Sequence, residues 1–399
     1  MADFVIIGAG IVGLTIAREL KRRQPRAGII VLEKEDRPGR HASGRNSGVL
    51  HSGIYYPSDS LKARVCGEGA REMAEYCEAR KLPLRRIGKI LLPTETRDGS
   101  QLDLLAERAA ANRVEVERLD AAALARAEPE ARSATGEALF VPGTAVVGSA
   151  DVMTSLVGEA IGAGIDIRCG GRLGRVDPER RTLEWSGEPL AYGHVINAAG
   201  LHADAVAHLF SVGHRYTLLP FKGIYWKLDP ASGIRVNHLL YPVPDLRVPF
   251  LGVHTTTTVE GAIYLGPTAV PAFGRENYRG LAGVRIGELL RIGTLLGRQL
   301  LSGRDGFRRL AWQEGRRYSK AQFAEAARAL LPRLSAEHLL PCDKVGIRAQ
   351  MLDRKTGRLV TDFLVESGPD STHVLNAISP AFTSAFPLAR HVCDNNILK

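Results

Sequence analysis

The sequence predicts an α/β fold in which a Rossmann-type nucleotide-binding domain carries a second, α+β domain built on an antiparallel sheet. Three observations predict it. An apolar strand, a glycine-rich turn, a helix and a second strand follow one another within residues 3–33. Residues 216–270 alternate apolar and polar side chains between Pro and Gly breaks, the pattern of antiparallel strands with one solvated face. Strand-like runs then return in the last third, at 359–365 and 373–377.

In chain order, residues 4–7 form the first strand, and Ile11, Leu14, Ile16, Ala17 and Leu20 recur at helical spacing after the turn. Ile29-Ile30-Val31-Leu32 is a short strand of buried type, and continuous apolar strands joined by a helix imply a parallel sheet. Residues 84–92 read as a strand around Gly88-Lys89-Ile90-Leu91-Leu92, 101–112 as a helix, and 150–163 as a helix with Asp151 near its start. Strands follow at 165–168 and at Val195-Ile196, the latter running into Asn197-Ala198-Ala199-Gly200; a long helix is expected over 281–301. The nucleotide-binding domain is therefore expected to be discontinuous (1–80, 145–215 and 345–399), with 81–144 and 216–344 forming the substrate-binding domain.

The chain has 399 residues, 45% of them hydrophobic, enough for a large core in about two domains. No apolar run reaches the 18 residues of a spanning helix. The first strand begins almost at Met1, which argues against a leader peptide and for a cytoplasmic location. Cys66, Cys77, Cys169, Cys342 and Cys393 are odd in number, widely spaced and without a CxxC, so neither a disulfide framework nor a metal site is expected. A formal charge of +10 suits an anionic partner, but no nucleic-acid motif accompanies it and aromatic content is only 6%.

Gly8-Ala9-Gly10-Ile11-Val12-Gly13 follows an apolar strand and opens a helix, and Glu33 lies 20 residues after Gly13 at the end of the next strand. Gly8 permits the tight turn, Gly10 lets backbone approach a pyrophosphate, and Gly13 lets helix and strand pack closely. The helix N-terminus offers free N–H groups to phosphate, and Glu33 can hold a ribose hydroxyl. GxGxxG alone is a weak signal; with strand, helix and acid in place it is strong. The loop after Glu33 separates NAD from FAD. It runs through Lys34, His41, Ser43, Gly44, Asn46, Ser47 and Gly48, and its small and polar residues suit a second long stretch of cofactor lying against backbone. A plain NAD unit would return promptly to a helix. The expected cofactor is FAD, and no cysteine stands in a motif for covalent attachment, so it is expected to be non-covalent.

These stretches, with Leu32-Glu33-Lys34-Glu35, Asn46-Ser47-Gly48-Val49, His51-Ser52-Gly53-Ile54-Tyr55-Tyr56, Ser60-Leu61-Lys62-Ala63, Asn237-His238-Leu239, Tyr241-Pro242-Val243-Pro244-Asp245, Pro249-Phe250-Leu251-Gly252-Val253-His254, Leu265-Gly266-Pro267, Gly346-Ile347-Arg348-Ala349-Gln350, Asp362-Phe363-Leu364 and Ser379-Pro380-Ala381, resemble the L-2-hydroxyglutarate dehydrogenase (oxidase) family of the D-amino acid oxidase-like FAD superfamily. The resemblance runs nearly end to end. Ala42-Ser43 departs from the family's usual Gln-Thr, Lys222 from its usual Arg, and 255–258 is a polar run where the pattern varies. The resemblance implies that Ala199 and Gly200 lie against the cofactor and that backbone near Arg172 meets the adenine. It also implies that Ser379, Pro380, Ala381, Thr383 and Ser384 close over the pyrimidine end of the flavin, where N–H donors favour the reduced ring.

The implied reaction removes hydride from C2 of a small dicarboxylic 2-hydroxy acid, so a base must take the hydroxyl proton, and His is the usual choice. Of 11 histidines, the resemblance puts His254 and His51 at the junction of cofactor and substrate, with His254 the stronger candidate and His238 a structural one. Two carboxylates need two cations. Arg348 resembles the superfamily position that grips the substrate carboxylate beside the cofactor, and Lys222 lies on another site-lining strand. Tyr55, Tyr225, Tyr241 and Thr256 are candidate hydrogen-bond donors. An amino-acid or amine oxidase on the same scaffold would need no hydroxyl base, and a non-catalytic flavoprotein would need neither; both stay open here.

Between residues 275 and 317 stand ten Arg against Glu276, Glu288, Asp305 and Glu314, which places +6 of the +10 in 43 residues. Leu281, Leu289, Leu290, Leu295, Leu296, Leu300 and Leu301 share the segment. A basic amphipathic helix suits an anionic membrane surface, and a core helix with a solvated basic face is the alternative. With one nucleotide fingerprint in the chain, the electron acceptor is expected to be a quinone or O2.

Overall fold

The computed structural model describes residues 2–246, 250–303 and 306–398; Pro249 and Asp305, named above, lie outside them. Its largest sheet has a parallel centre, in the order Asp166–Arg168, Ile29–Leu32, Ala2–Ile7, Glu188–Asn197, Ser371–Val374. The antiparallel strand Val365–Gly368 closes one edge, and the hairpin Leu173–Asp177 with Thr182–Trp185 extends the start of Glu188–Asn197. The parallel strands thus come from the beginning, middle and end of the chain. Their unbroken apolar character follows from burial on both faces: Phe4, Ile6, Ile29 and Val31 pack into one cluster, and Val5, Ile7, Ile30 and Leu32 into another.

The helix Ile11–Arg23 packs on the first face, against Ser149–Gly162 and Ala385–Val392. It buries Ile11, Val12, Leu14, Ile16, Ala17 and Leu20, each larger side chain contributing about 1.5–3 kcal/mol. Its approach to the first strand is set by glycine. A Cβ on Gly13 would lie 2.0 Å from Gly8 O, and one on Gly8, whose φ is +108°, would lie 2.5 Å from Ala198 O.

The rest of the chain is divided more finely than the pattern in 216–270 suggests. Phe221–Leu228 is the centre of a five-stranded antiparallel sheet with His254–Thr257, Ile263–Gly266, Val270–Pro271 and Leu339–Arg348. Leu239–Pro242 instead pairs parallel with Lys89–Leu92 in a four-stranded sheet that also holds Ala138–Val141 and Glu117–Leu119, and Tyr216–Leu218 pairs with Met351–Asp353. Alternation reports a one-sided strand, not its partner. Thr255 joins the two sheets, its Oγ1 accepting from Leu240 N at 2.8 Å. The boundary expected at 344/345 falls inside Leu339–Arg348, which continues past Pro341. The expected strand at 84–92 is broken by Gly88 (φ +66°) into Leu84–Arg86 and Lys89–Leu92. Of the run 359–365 only the ends are strand, and the helix expected over 281–301 spans Ile286–Ser302.

Candidate functional site

The strand ends, the 33–51 loop and the five-stranded sheet enclose one cavity of about 1260 Å³, beyond the ~300–1,000 Å³ of an ordinary small-molecule pocket. One end is the glycine turn. Gly8, Gly10, Ile11 and Val12 line it, and the helix start carries no side-chain cap of its own; Ile11 N donates instead to Ser43 Oγ at 2.9 Å. Glu33 is buried and its two carboxylate oxygens accept from Ala9 N and Glu35 N, both at 3.0 Å, so the acid is fixed beside the turn. Lys34, His41, Ser43, Asn46, Ser47, Arg172, Ala199 and Gly200 line the same half. Asn197, wholly buried, pins the 198–200 turn by accepting from Ala199 N and donating to Ala203 O. At the mouth Lys34 and His202 each meet Glu276 at 2.7 Å, and His41 bridges Glu35 and Tyr278. Ligand atoms of Glu35, His41 and Glu276 lie within 4.8 Å of one another, but Lys34 among them makes this an ion-pair bridge between the 34–41 loop and the 276–278 segment.

The other end is formed by His51, Tyr225, Phe250, His254 and Arg348, with Ser379, Pro380, Ala381 and Thr383 beside them. Thr383 Oγ1 accepts from His51 N and donates to Val49 O, which ties the C-terminal segment to the 49–51 strand end. Arg348 ends its strand with the guanidinium over the Phe250 ring, 4.9 Å from the centroid. His254 begins the strand His254–Thr257 and stacks flat on Tyr241, centroids 3.9 Å apart. Its Nδ1 lies 2.9 Å from Gly252 O. A carbonyl only accepts, so Nδ1 carries the proton of the neutral ring and Nε2 is left as the acceptor. Burial, then the charges of Lys89 and Arg348, push His254 down to about 3; burial, then Lys89, His254 and Arg348, do the same to His51.

Several expected residues stand elsewhere. Lys222 faces away: its neighbours Phe221 and Gly223 line the cavity, strand alternation sends Lys222 to the opposite side, and its Nζ donates to Asn277 Oδ1 at 3.0 Å. Tyr55, Tyr241 and Thr256 are buried behind the cavity wall. Gly13, Gly44 and Gly48 act by close packing, against Gly8 O, Gly39 O and Val147 O respectively, and Ser384 is wholly buried at the start of the last helix. His238 is structural, its Nδ1 3.1 Å from buried Glu128. Lys89 was not anticipated. Its signal, a lone Lys between Gly88 and the apolar run Ile90-Leu91-Leu92, reads equally as a strand end at solvent.

Residues 3–395 match the family model described as FAD dependent oxidoreductase. The chain belongs to the FAD-dependent oxidoreductase family. It is 35% identical to an L-2-hydroxyglutarate dehydrogenase of Salmonella houtenae, covering 98% of this chain and 92% of that one, and 34% identical to the human mitochondrial L-2-hydroxyglutarate dehydrogenase, covering 98% and 88%. Among solved structures, FAD-bound L-alpha-glycerophosphate oxidase from Mycoplasma pneumoniae superposes with a TM-score of 0.77 at 20% identity over 98% of this chain and 93% of that one. Glycine oxidase from Geobacillus kaustophilus gives 0.70 at 17%, over 98% and 94%. Those two likenesses concern the fold. The protein is thus an FAD-dependent oxidoreductase, as its sequence led us to expect, and the expected α/β fold class and kinship with L-2-hydroxyglutarate dehydrogenases hold.

Proposed function

We propose that this protein oxidises L-2-hydroxyglutarate to 2-oxoglutarate. FAD would be held without a covalent bond: the N–H groups of the glycine turn and helix start would take its pyrophosphate, Glu33 a ribose and the backbone near Arg172 the adenine, and His51, His254, Arg348 and the 379–383 segment would receive its reactive ring. The fit rests on this chain's own shape: a Cβ on Gly10 would enter the turn within 3.0 Å of Ser43 Oγ, while the turn itself presents bare backbone to the cavity. The bound flavin supplies the hydride acceptor.

The observation that carries the reading is His254. A neutral imidazole with Nδ1 committed to Gly252 O offers Nε2 as a general base for the substrate hydroxyl. Arg348 matches the carboxylate next to the reacting carbon with its planar fork, and His51, which lines the same cavity, orients the hydroxyl. An amine oxidase takes hydride from the C–H bond beside nitrogen and has no hydroxyl for this base to deprotonate. The test is anaerobic flavin bleaching of the purified holoenzyme. L-2-hydroxyglutarate should bleach it, the D-isomer and lactate poorly, and L-glutamate not at all; bleaching by L-glutamate as fast as by the hydroxy acid would sink the proposal.

Electrons leave to a quinone in a membrane that the protein touches from the cytoplasmic side. No helix among the described residues is long and apolar enough to cross a membrane, but the helix Ile286–Ser302 buries only Ile292 and Gln299. Ile286, Leu289, Leu290, Leu300 and Leu301 form an exposed stripe at helical spacing, flanked by exposed Arg285, Arg298, Arg308 and Arg309. Arg285, Gly287 and Glu288 also line the cavity, so the stripe adjoins its mouth. This supports an anionic lipid surface as the partner.

A further inference from the structure

Behind His51 and His254 lies a buried cation with no hydrogen-bond partner among the described residues: the Nζ of Lys89, fully buried on Lys89–Leu92. The ammonium sits over the rings of Tyr55 and Tyr241, 4.6 and 5.5 Å from their centroids, and Tyr241 stacks on His254. The Tyr55 hydroxyl is also buried with no hydrogen-bond partner among the described residues, and the buried Tyr241 and Thr256 hydroxyls meet only each other. Among the described residues no carboxylate acts on this group, and the ionisable neighbour that favours its charge is the Cys66 thiol.

Buried polar atoms in native proteins are matched, and an unmatched ammonium beside an unmatched phenol requires an explanation. An ammonium donates three hydrogen bonds and accepts none, and each hydroxyl has a proton to give. The hydroxyl oxygens can accept as well as donate, but none is a hydrogen-bond partner of Nζ, and for a lone buried ammonium the acceptor that also balances charge is an anion. Burial drops Lys89 to about 7, so an anion beside it would hold it charged at neutral pH.

We infer that Lys89 is the second anion-holder of the site, binding the carboxylate at the far end of a dicarboxylic 2-hydroxy acid with the hydroxyls of Tyr55, Tyr241 and Thr256 around it. The inference rests on the 2-hydroxy-acid reading above and deepens it: Lys89, not Lys222, sets the preference for a dicarboxylate. The ammonium stands one ring, Tyr241, behind His254, which lines the cavity, and its flexible four-carbon stem gives Nζ the reach to turn toward that wall.

The test uses the FAD-loaded enzyme, with wild type, Lys89→Met and, as a charge-removal control, Lys222→Met. Two quantities are read: the ratio of kcat/KM for L-2-hydroxyglutarate to that for L-2-hydroxybutyrate, and binding of glutarate, a dicarboxylate with no hydroxyl to oxidise, from the perturbed flavin spectrum. Lys89→Met should lower the ratio about 10- to 100-fold, through KM, the worth of one charge-assisted hydrogen bond, and Lys222→Met should leave it unchanged. Glutarate affinity for wild type should fall about tenfold per pH unit above ~7, as the free ammonium deprotonates, and this dependence should vanish in Lys89→Met. A ratio unchanged in Lys89→Met overturns the inference, including the case where both substrates suffer equally. If that variant fails to hold FAD, Tyr55→Phe and Tyr241→Phe with the wild-type pH dependence decide: an unaltered ratio in both and pH-independent glutarate binding overturn it. A wild type that binds glutarate in this pH-dependent way but is bleached by neither hydroxy acid refutes the reaction and leaves the anion site standing.

Discussion

With His254 as the proposed base, its environment sets the expected pH range of the reaction. Burial disfavours the imidazolium, the positive charges of Lys89 and Arg348 disfavour it further, and the ring sits near 3 instead of 6.5. The sign follows directly: the base is neutral and competent across ordinary assay pH and is lost only when pH falls toward its depressed value. The acid limb of kcat/KM for flavin reduction, which reports the free enzyme, should therefore lie below about pH 5. His254→Gln should slow anaerobic single-turnover reduction by about 10²–10⁴ with flavin content retained. An acid limb near 6.5 that survives in His254→Gln would show that another group takes the proton. Both histidines were legible in the sequence because they sit in family-specific strings; the tautomer was not, because it depends on a carbonyl two residues away whose direction only the folded loop fixes. Lys89 stayed hidden for a related reason: burial on a strand end depends on which strand lies next to it, here Leu239–Pro242.

At the scale of elements, the glycine turn was the most legible part of the chain, since each glycine answers a local demand. The three are not equivalent to mutation. Gly8 has a φ that side chains rarely adopt, and a Cβ on Gly13 would strike Gly8 O at 2.0 Å, so substitution at either disrupts the strand–helix unit itself. Gly10 has an ordinary φ of −79°, and its nearest obstacle is the Ser43 hydroxyl at 3.0 Å. Gly10→Val should therefore fold but bind FAD at least tenfold more weakly, as the branched side chain fills the space where backbone meets pyrophosphate. Purified variant with wild-type circular dichroism and little 450-nm absorbance is the expected result; normal flavin content would refute the placement. Strand partners were the least legible elements. Alternation in 216–270 marked the strands but distributed them over the wrong number of sheets, because a period of two carries no record of which edge accepts which neighbour. The same alternation, applied to Phe221, Lys222 and Gly223 with the cavity known, turns Lys222 away at once.

For the whole molecule, the distribution of charge and apolar surface has a direction. The sequence put +6 of the net +10 in 275–317 and left open whether the leucines there were core or surface. In the folded chain Leu295 and Leu296 pack inward, while Ile286, Leu290, Leu301 and Trp312 are 79%, 66%, 79% and 70% exposed. Scattered exposed apolar residues are ordinary; apolar side chains gathered on one face of Ile286–Ser302 and flanked by arginines suit the proposed lipid contact. Each large side chain that enters the lipid boundary contributes about 1.5–3 kcal/mol, and each nearby Arg about 1 kcal/mol against an anionic leaflet. The holoenzyme should therefore sediment with phosphatidylglycerol-containing vesicles, less with neutral phosphatidylcholine vesicles, and less again as salt rises through the range that screens surface charge. Leu290→Glu with Leu301→Glu removes two anchors and adds repulsion, and should reduce anionic-vesicle binding by at least tenfold while flavin bleaching by substrate in solution is unchanged, since neither residue lines the cavity. Reoxidation then separates the two roles of the surface. With a quinone embedded in anionic vesicles the double variant should reoxidise far more slowly than wild type, and with a water-soluble quinone at the same rate. Equal rates in both assays would leave the stripe without a part in electron transfer, and wild-type sedimentation independent of lipid charge would remove the membrane from the account altogether.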